Sequence, residues 1–254
     1  MELYVFLGLI VLGLLVLFFY WAFIITEGAY LGARVVAWTY DLTAAKYDRI
    51  KQFKLEQDVW LIAGPLLNKL RAVRHPLILD VATGTARLPL ALLTRPTFDG
   101  HVFGLDLSRN MLVQAERKLT PYAGRYTLVW HDAQHLPFDD ETFDAVCCLE
   151  ALEFMPDPPG VLAEMARVLR PGGVFMVTNR INWEARLMPG KAFSKDRIRA
   201  MLQSLGLVRI EFRLWQVYYD LILALKEGRQ AVEGHPPDEI RRSLAPTAHF
   251  SHLT

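Results

Sequence analysis

LILDVATGTARLP (Leu77–Pro89) has the pattern of a buried strand, a turn of small residues and the first turn of a helix. Such a succession is typical of a parallel α/β sheet. The small residues fall at Ala82, Gly84 and Ala86, which differs from the G-x-G-x-x-G spacing of dinucleotide-binding loops. The carboxylate of Asp80, inside the strand, would repel a phosphate. The loop therefore favours a ligand without phosphates that carries an amine and a sulfonium.

The segments around this stretch alternate between strand and helix patterns. Nearly apolar strands separated by helices indicate a parallel sheet covered on both faces. The predicted strands are 77–82, 101–107, 127–133, 143–152 and 173–181, and the helices between or after them are 86–95, 109–119, 158–170 and 194–206. The last two strands, 207–215 and 217–226, are so close in sequence that they must form a hairpin. At least one of them therefore runs antiparallel to the rest.

The N-terminal segment carries no charge from Leu3 to Ile25. About 20 apolar residues suffice to cross a bilayer, so we expect a single transmembrane anchor over 1–27. A cleaved signal peptide and a buried helix are the alternatives, but a signal peptide would have a basic start and a shorter apolar run. The positive-inside tendency predicts that the C-terminal part is cytoplasmic. The basic residues that support this orientation are Arg34, Lys46, Arg49, Lys51 and Lys54.

The composition excludes several classes of function. Lys and Arg number 28 against 27 Asp and Glu, which leaves no basic excess for binding nucleic acid. Cys147 and Cys148 are adjacent in an apolar run, which indicates buried thiols in a reducing compartment. The sequence contains no CxxC, HExxH or P-loop spacing, and no metal site is predicted.

Four parts of the chain follow from these patterns. The anchor, 1–27, is followed by an amphipathic, aromatic-rich helical lid or linker at 28–75. The α/β domain covers 76–226. The tail, 227–254, has little apolar periodicity and is expected to be loosely structured.

Acidic residues end three of the predicted strands, at Asp80, Asp106 and Asp132. Ligands of open α/β sheets lie beyond the carboxyl ends of the strands. Asp106 follows Asp80 by 26 positions, about the separation that brings a carboxylate to the diol of a ribose. Asp132 is placed to accept a hydrogen bond from an exocyclic amine such as that of adenine, and Met111 could pack on a base. The alternative for each acid is a helix cap or a solvated loop residue.

Four stretches occur in an order that resembles a known family: LILDVATGTA, VFGLDLSRNML, HDAQHLPFDDETFDAV and LAEMARVLRPGG. From about Tyr40 to Phe212 the chain resembles class I S-adenosylmethionine-dependent methyltransferases, in the type 11 branch that includes ubiquinone and menaquinone biosynthesis. The resemblance implies a Rossmann-like, seven-stranded, mostly parallel sheet with an antiparallel last strand and helices on both faces. It also implies S-adenosylmethionine as the cofactor.

The resemblance also implies roles for individual residues. Tyr47 resembles a tyrosine of the N-terminal helix that folds over the cofactor, and Glu150 lies where strand four opens onto the methionine part and the acceptor. Ala86 departs from the usual glycine, and we expect its methyl to narrow the backbone's approach slightly. The implied cofactor-binding residues are Tyr47, Asp80, Ala82, Gly84, Asp106, Leu107, Met111, Asp132, Ala133 and Glu150.

These observations lead to the hypothesis of a membrane-anchored methyltransferase that acts on a small lipophilic acceptor by in-line displacement. The anchor would raise the effective concentration of the domain near an acceptor dissolved in the bilayer. A general base is needed only if the acceptor must lose a proton, and Glu150, His131 and His135 are candidates by position. The alternatives are a catalytically silent scaffold that binds S-adenosylmethionine, and a nucleotide-dependent oxidoreductase.

Overall fold

A seven-stranded sheet forms the centre of the fold in the computed structural model, which describes residues 2–244 and 250. The strands are β1 Leu77–Val81, β2 His101–Asp106, β3 Tyr126–Trp130, β4 Phe143–Cys148, β5 Leu169–Arg180, β6 Leu207–Trp215 and β7 Tyr219–Lys226. Their order in the sheet is β3-β2-β1-β4-β5-β7-β6, and β7 is antiparallel to both of its neighbours. The Rossmann-like, mostly parallel sheet with an antiparallel last strand is therefore confirmed.

Helices cover both faces of this sheet. Alternate residues of β1 point to opposite sides, so that Leu79 packs with Val161 and Ile198, whereas Ile78 packs with Leu66. The helices are α1 Glu2–Tyr20, α2 Ala33–Thr43, α3 Tyr47–Lys51, α4 Leu55–Asp58, α5 Gly64–Leu70, α6 Arg87–Leu93, α7 Arg109–Leu119, α8 Pro158–Val168, α9 Lys195–Ser204 and α10 Pro237–Ser243. Both layers of apolar side chains meet at the sheet, which positions the strand ends rigidly.

The N-terminal helix extends from the domain with its apolar side chains exposed. Helix α1 continues through a wider turn to Ile25, and this 24-residue segment is long and apolar enough to cross a membrane by length and composition. Its last turn packs on the domain. The indole Nε1 of Trp21 donates to the carbonyl of Leu187 at 3.0 Å, and the Trp21 ring stacks on Tyr30.

Strand β5 begins earlier than the sequence predicts. Helix α8 ends at Val168 rather than at residue 170, because Leu169 already pairs with Phe143 of β4. The register then shifts before Ala145, so the Pro171-Gly172 pair that looks like a turn in sequence lies in an irregular part of the strand.

The tail also differs in part from the expectation of loose structure. Residues 237–243 form α10, and Ile240 and Leu244 are buried against the sheet's hydrophobic core. Arg241 on α10 donates to the hydroxyl of Thr127 at 2.8 Å, a long-range contact that apolar periodicity does not reveal. Residues 245–249 and 251–254 of the predicted tail lie outside the described residues.

Candidate active site

The loop after β1 is built from alternating left-handed residues. Ala82, Gly84 and Ala86 have φ angles of 55°, 54° and 67°, a conformation that favours glycine. The loop is fastened by Thr83, whose amide donates to the carbonyl of Leu105 on the neighbouring strand at 2.9 Å. A Cβ added to Gly84 would meet no atom within 4 Å, so the backbone here is open to a ligand.

Ala86 does not narrow this approach. Its side chain is fully buried in the core on the α6 side of the sheet and does not line the cleft. The expectation that its methyl would slightly narrow the approach of a ligand to the backbone is therefore wrong for this loop.

Asp106 joins the loops that follow β1 and β2. One carboxylate oxygen accepts from the Gly84 amide and the other from the Ser108 amide, both at 2.8 Å. Burial raises the pKa of Asp106 to about 6, although these two backbone amides oppose the shift. Because each oxygen accepts only one of these bonds, each keeps a lone pair that could accept from a diol.

An elongated cleft opens beyond these strand ends. Its larger hollow has an empty volume of about 700 Å³, its open mouth included, and Asp106, Leu107, Asp132, Ala133 and His131 line one wall. Asp132 accepts from the Gln134 amide at 2.9 Å, and the Nδ1 atom of His131 lies 3.1 Å from the Asp132 carbonyl. This part of the lining thus combines two carboxylates with the apolar residues Leu107 and Ala133.

A second, smaller hollow adjoins the first and shares several of its residues, namely Tyr47, Ala82, Gly84, Leu149 and Glu150. Asp80 lines this hollow, and its carboxylate accepts from the hydroxyl of Thr83 at 2.7 Å. Burial raises the pKa of Asp80 to about 7, with the negative charge of Asp106 adding to the shift. A cation bound here would favour the ionised form of Asp80.

Arg87 lines the smaller hollow. It was not predicted as a site residue from the sequence. Its guanidinium binds Asp58 through two hydrogen bonds of 3.0 and 2.7 Å, and it donates to Glu150 at 2.6 Å. The indole of Trp215 donates to the same Glu150 oxygen at 3.0 Å. Arg87 is the first residue of α6 and directly follows the predicted loop, which is the only signal in the sequence that could have indicated it.

The N-terminal helices cover the cleft from above. Asp48 on α3 accepts from the hydroxyl of Thr85, and Asp41 on α2 accepts from the hydroxyl of Ser108, each at 2.5 Å. Tyr40 and Tyr47 stand over the opening with ring centroids 5.8 Å apart. Burial raises the pKa of both phenols, so they remain neutral covers of the cleft.

Eight of the ten predicted cofactor-binding residues line the larger hollow or both hollows, and Asp80 lines the smaller one. Met111 is buried behind Ser108, whose hydroxyl accepts from its amide, and it lines neither hollow. Of the candidate bases, His131 and Glu150 line the cleft, whereas His135 is exposed and does not.

Comparison with known proteins agrees with this architecture. A family described as "Methyltransferase domain" matches residues 79–177, which include the loop, the acids and β4. A demethylmenaquinone methyltransferase of Symbiobacterium thermophilum is 35% identical over 172 residues, which are 66% of this chain and 60% of that protein. Residues 79–177 are therefore a methyltransferase domain of the class I, S-adenosylmethionine-dependent type. S-adenosylmethionine is its cofactor.

Two further likenesses fit this methyltransferase. A demethylmenaquinone methyltransferase of Lysinibacillus sphaericus is 45% identical over 96 residues, 38% of this chain and 41% of that protein. The crystal structure of a SAM-dependent methyltransferase from Aquifex aeolicus aligns with a TM-score of 0.56 over 73% of this chain and 98% of that one. At 17% identity, that likeness shows the fold. The methyltransferase chain spans about 40 to 60% of the length of the curated relatives it matches.

The residues of this methyltransferase fit its cofactor. Asp106 would offer free lone pairs to a ribose diol, and Asp132 lines the larger hollow together with Leu107 and Ala133, where an adenine would be held. The open backbone at Gly84 would leave room for the methionine part, and Asp80 lines the adjoining hollow with a carboxylate. No cluster of three metal-binding side chains occurs among the residues that the structure describes.

Proposed function

We propose that this methyltransferase acts at the cytoplasmic face of a membrane and methylates a lipophilic acceptor of the quinone-precursor type. The observation that carries the proposal is the composition of the larger hollow. Besides its acidic residues, the hollow is lined by apolar residues, namely Val36 and Ala37 of α2 and Phe154, Met155 and Pro156 after β4. A cleft that combines acidic and apolar lining residues suits a polar cofactor beside an apolar acceptor.

The cofactor supplies a methyl group on an activated sulfonium, and we propose in-line displacement by the acceptor. The protein's part is to align the acceptor and exclude water. Tyr40 packs edge-on against Phe154 with centroids 6.2 Å apart, and Tyr47 packs in the same way on Phe53 at 5.8 Å. These rings form a cover of neutral side chains between the cleft and solvent.

His131 is our choice of general base where the acceptor must lose a proton. Glu150 is less suited because its carboxylate is held in a buried ion pair with Arg87, and His135 lies outside the cleft. His131 lines the cleft beside Asp132, and its Nδ1 atom lies 3.1 Å from the Asp132 carbonyl.

The membrane part of the proposal rests on α1 and on the relatives. The exposed apolar segment Glu2–Ile25 is followed by basic residues, which favours a cytoplasmic domain. The related proteins from Symbiobacterium and Lysinibacillus are both called demethylmenaquinone methyltransferase. A quinone precursor with an isoprenoid tail would reach the cleft from the bilayer.

The test is methyl transfer by the full chain in phospholipid vesicles. The assay follows tritium transfer from labelled S-adenosylmethionine to demethylmenaquinone, with a naphthoquinol that lacks the isoprenoid tail as the matched soluble acceptor. We expect faster transfer to the tailed acceptor. We also expect Asp106→Asn to weaken cofactor binding at least about tenfold, while the exposed Asp139→Asn control is unchanged. The amide nitrogen that replaces one carboxylate oxygen can accept neither from the backbone amide that it faces nor from a ribose hydroxyl.

Two results would overturn the proposal. Binding of S-adenosylmethionine without transfer to either acceptor would identify a silent scaffold. Equal transfer to both acceptors, with no gain from vesicles, would exclude the lipophilic acceptor.

A further inference from the structure

We propose that the cleft is surrounded by an apolar rim that inserts into the bilayer beside α1, so that the cleft opens into the lipid. The rim consists of Trp38, Leu42, Trp60, Trp183, Leu214 and Val217, which are 57–76% exposed. The proposal rests on the proposed function for the nature of the acceptor, but the insertion itself does not depend on it. Exposed apolar residues of this size and number mark an interaction surface.

The rim residues lie at the carboxyl edge of the sheet, where the cleft opens. Trp38 and Leu42 are on α2, whose Val36, Ala37 and Tyr40 line the cleft. Trp60 follows Asp58, the partner of Arg87.

The hairpin between β6 and β7 carries two more rim residues, Leu214 and Val217, to the same place. With its amide oriented to satisfy both groups, Gln216 donates to Glu150 at 3.0 Å and accepts from Arg87 at 2.6 Å. The tip of the hairpin thus lies directly beside the smaller hollow, and Val217 projects from it.

The backbone of this hairpin tip is unusual. Gln216 and Val217 have φ angles of 48° and 66°, and a β-branched residue is a clear outlier in this left-handed region. Hairpin turns of this type prefer Asn-Gly. The chain here exposes an apolar, branched side chain and holds it in a strained backbone conformation. Burial of the Val217 side chain in lipid would offset part of the free-energy cost of this conformation.

The rim is continuous with the membrane-proximal end of α1. Trp21 binds the carbonyl of Leu187, and the hydroxyl of Tyr30 donates to the carbonyl of Pro189 at 2.8 Å. The same segment, 181–190, meets the hairpin, where the Ile181 amide donates to the carbonyl of Tyr218 at 2.8 Å. A bilayer that contained α1 would therefore lie beside Trp183 and Val217.

Charge favours a lipid surface over a protein partner. Exposed basic side chains lie among the rim residues on the same segments of the chain. Glu56 is an exposed acidic residue on these segments, so the basic side chains outnumber it. Phospholipid surfaces on the cytoplasmic side are anionic and attract such residues, and tryptophan prefers the membrane interface. The exposed basic residues are Arg34, Lys46, Arg49, Lys54, Arg186 and Arg213.

The test is fluorescence of an environment-sensitive label on the full chain in phosphatidylglycerol and phosphatidylethanolamine vesicles. Val217→Cys carries the label on the rim, and Val232→Cys is the matched control. Val232 is also an exposed valine, but its carbonyl accepts from Arg74 before β1, at the opposite edge of the sheet. Cys147 and Cys148 are fully buried, so the label reacts with the introduced thiol.

We expect a blue-shifted emission at position 217 and quenching by acyl-chain spin labels at a depth of about 5–10 Å, with neither at position 232. Trp60→Cys and Trp183→Cys should behave like Val217→Cys. Equal, unquenched emission at positions 217 and 232 would overturn the proposal. An emission shift at position 217 that depends on protein concentration in detergent, together with no quenching by the lipid spin labels in vesicles, would show that a second copy of the chain covers the rim. That result would also overturn the proposal. Because this readout needs no methyl transfer, its failure is distinguishable from a failure of the proposed function.

Discussion

Replacing Arg87 with methionine tests whether the smaller hollow depends on charge neutralisation. The Arg87 side chain is 10% exposed, and the carboxylates of Asp58 and Glu150 that it binds are 4% and 9% exposed. The guanidinium also packs against Phe53 and Trp215, whose ring centroids lie 4.1 and 5.1 Å from the Cζ atom of Arg87. Methionine retains the apolar packing but removes the charge, which leaves two buried carboxylates without their cation.

Breaking a buried ion pair by removing one partner costs about 3–5 kcal/mol. A domain of this size loses about 2–4 °C in unfolding temperature per kcal/mol, so Arg87→Met should unfold roughly 6–20 °C lower. Lys69→Met is the matched control, because Lys69 pairs with Glu211 at 2.7 Å but both groups are more exposed. A partly exposed pair of this kind contributes less than about 1 kcal/mol.

Scanning calorimetry of the full chain in a mild detergent measures the difference. Adding Asp58→Asn and Glu150→Gln to Arg87→Met should restore most of the lost stability, since no uncompensated charge then remains buried. Lowering the pH should also restore part of it, because the unpaired carboxylates can be protonated. The reasoning is refuted if Arg87→Met unfolds within a degree or two of Lys69→Met, or if neutralising the carboxylates has no effect.

Three further substitutions test separate features of the cleft. Ala82→Gly relieves a left-handed conformation that costs about 1–2 kcal/mol, and after the entropy cost of glycine it should raise the unfolding temperature by roughly 1–4 °C. The control Ala86→Gly should gain little, because it also loses a buried methyl worth about 0.8 kcal/mol. Equal gains in the calorimetric unfolding temperature of the two variants would contradict the role of strain at Ala82. His131→Gln should lower kcat for a protonated acceptor while His135→Gln leaves kcat unchanged, and equal rates would exclude His131 as the base. Asp80→Asn should raise the unfolding temperature of the cofactor-free protein more at about pH 8 than at about pH 5.5. Burial raises the pKa of Asp80 from 3.8 to about 7, so the destabilisation by Asp80 is complete above about pH 7 and declines progressively as the pH falls towards 3.8. A pH-independent difference would contradict the raised pKa of Asp80.

The acidic end of the site could be predicted from sequence because it depends on strand ends. The carboxyl ends of parallel strands meet at one edge of a sheet, so Asp106 and Asp132 must approach each other once β2 and β3 pair. The loop after β1 follows the same rule. Met111 illustrates the limit of this reasoning, since its position near the start of α7 is correct but its side chain is buried and lines neither hollow.

The other end of the site depends on contacts between distant segments. Asp58 and Glu150 lie 29 and 63 positions from Arg87, and Trp215 lies 65 positions from Glu150. No local periodicity records these pairings. The helix α10 was unpredictable for the same reason, because it is stabilised by the burial of Ile240 and by the contact of Arg241 with β3 rather than by a pattern of its own.

The junction between α1 and the domain changes what an anchor would do. A flexible tether would raise only the effective concentration of the domain near the bilayer. Here Thr26 is fully buried, and Ala29 packs with Phe154 and Met188, so the chain leaves α1 as a packed structure. The same segment continues into α2, whose Val36 and Ala37 contribute to the apolar lining of the cleft. If α1 spans the bilayer, its packing determines which edge of the sheet faces the lipid, and that edge is the one where the cleft opens.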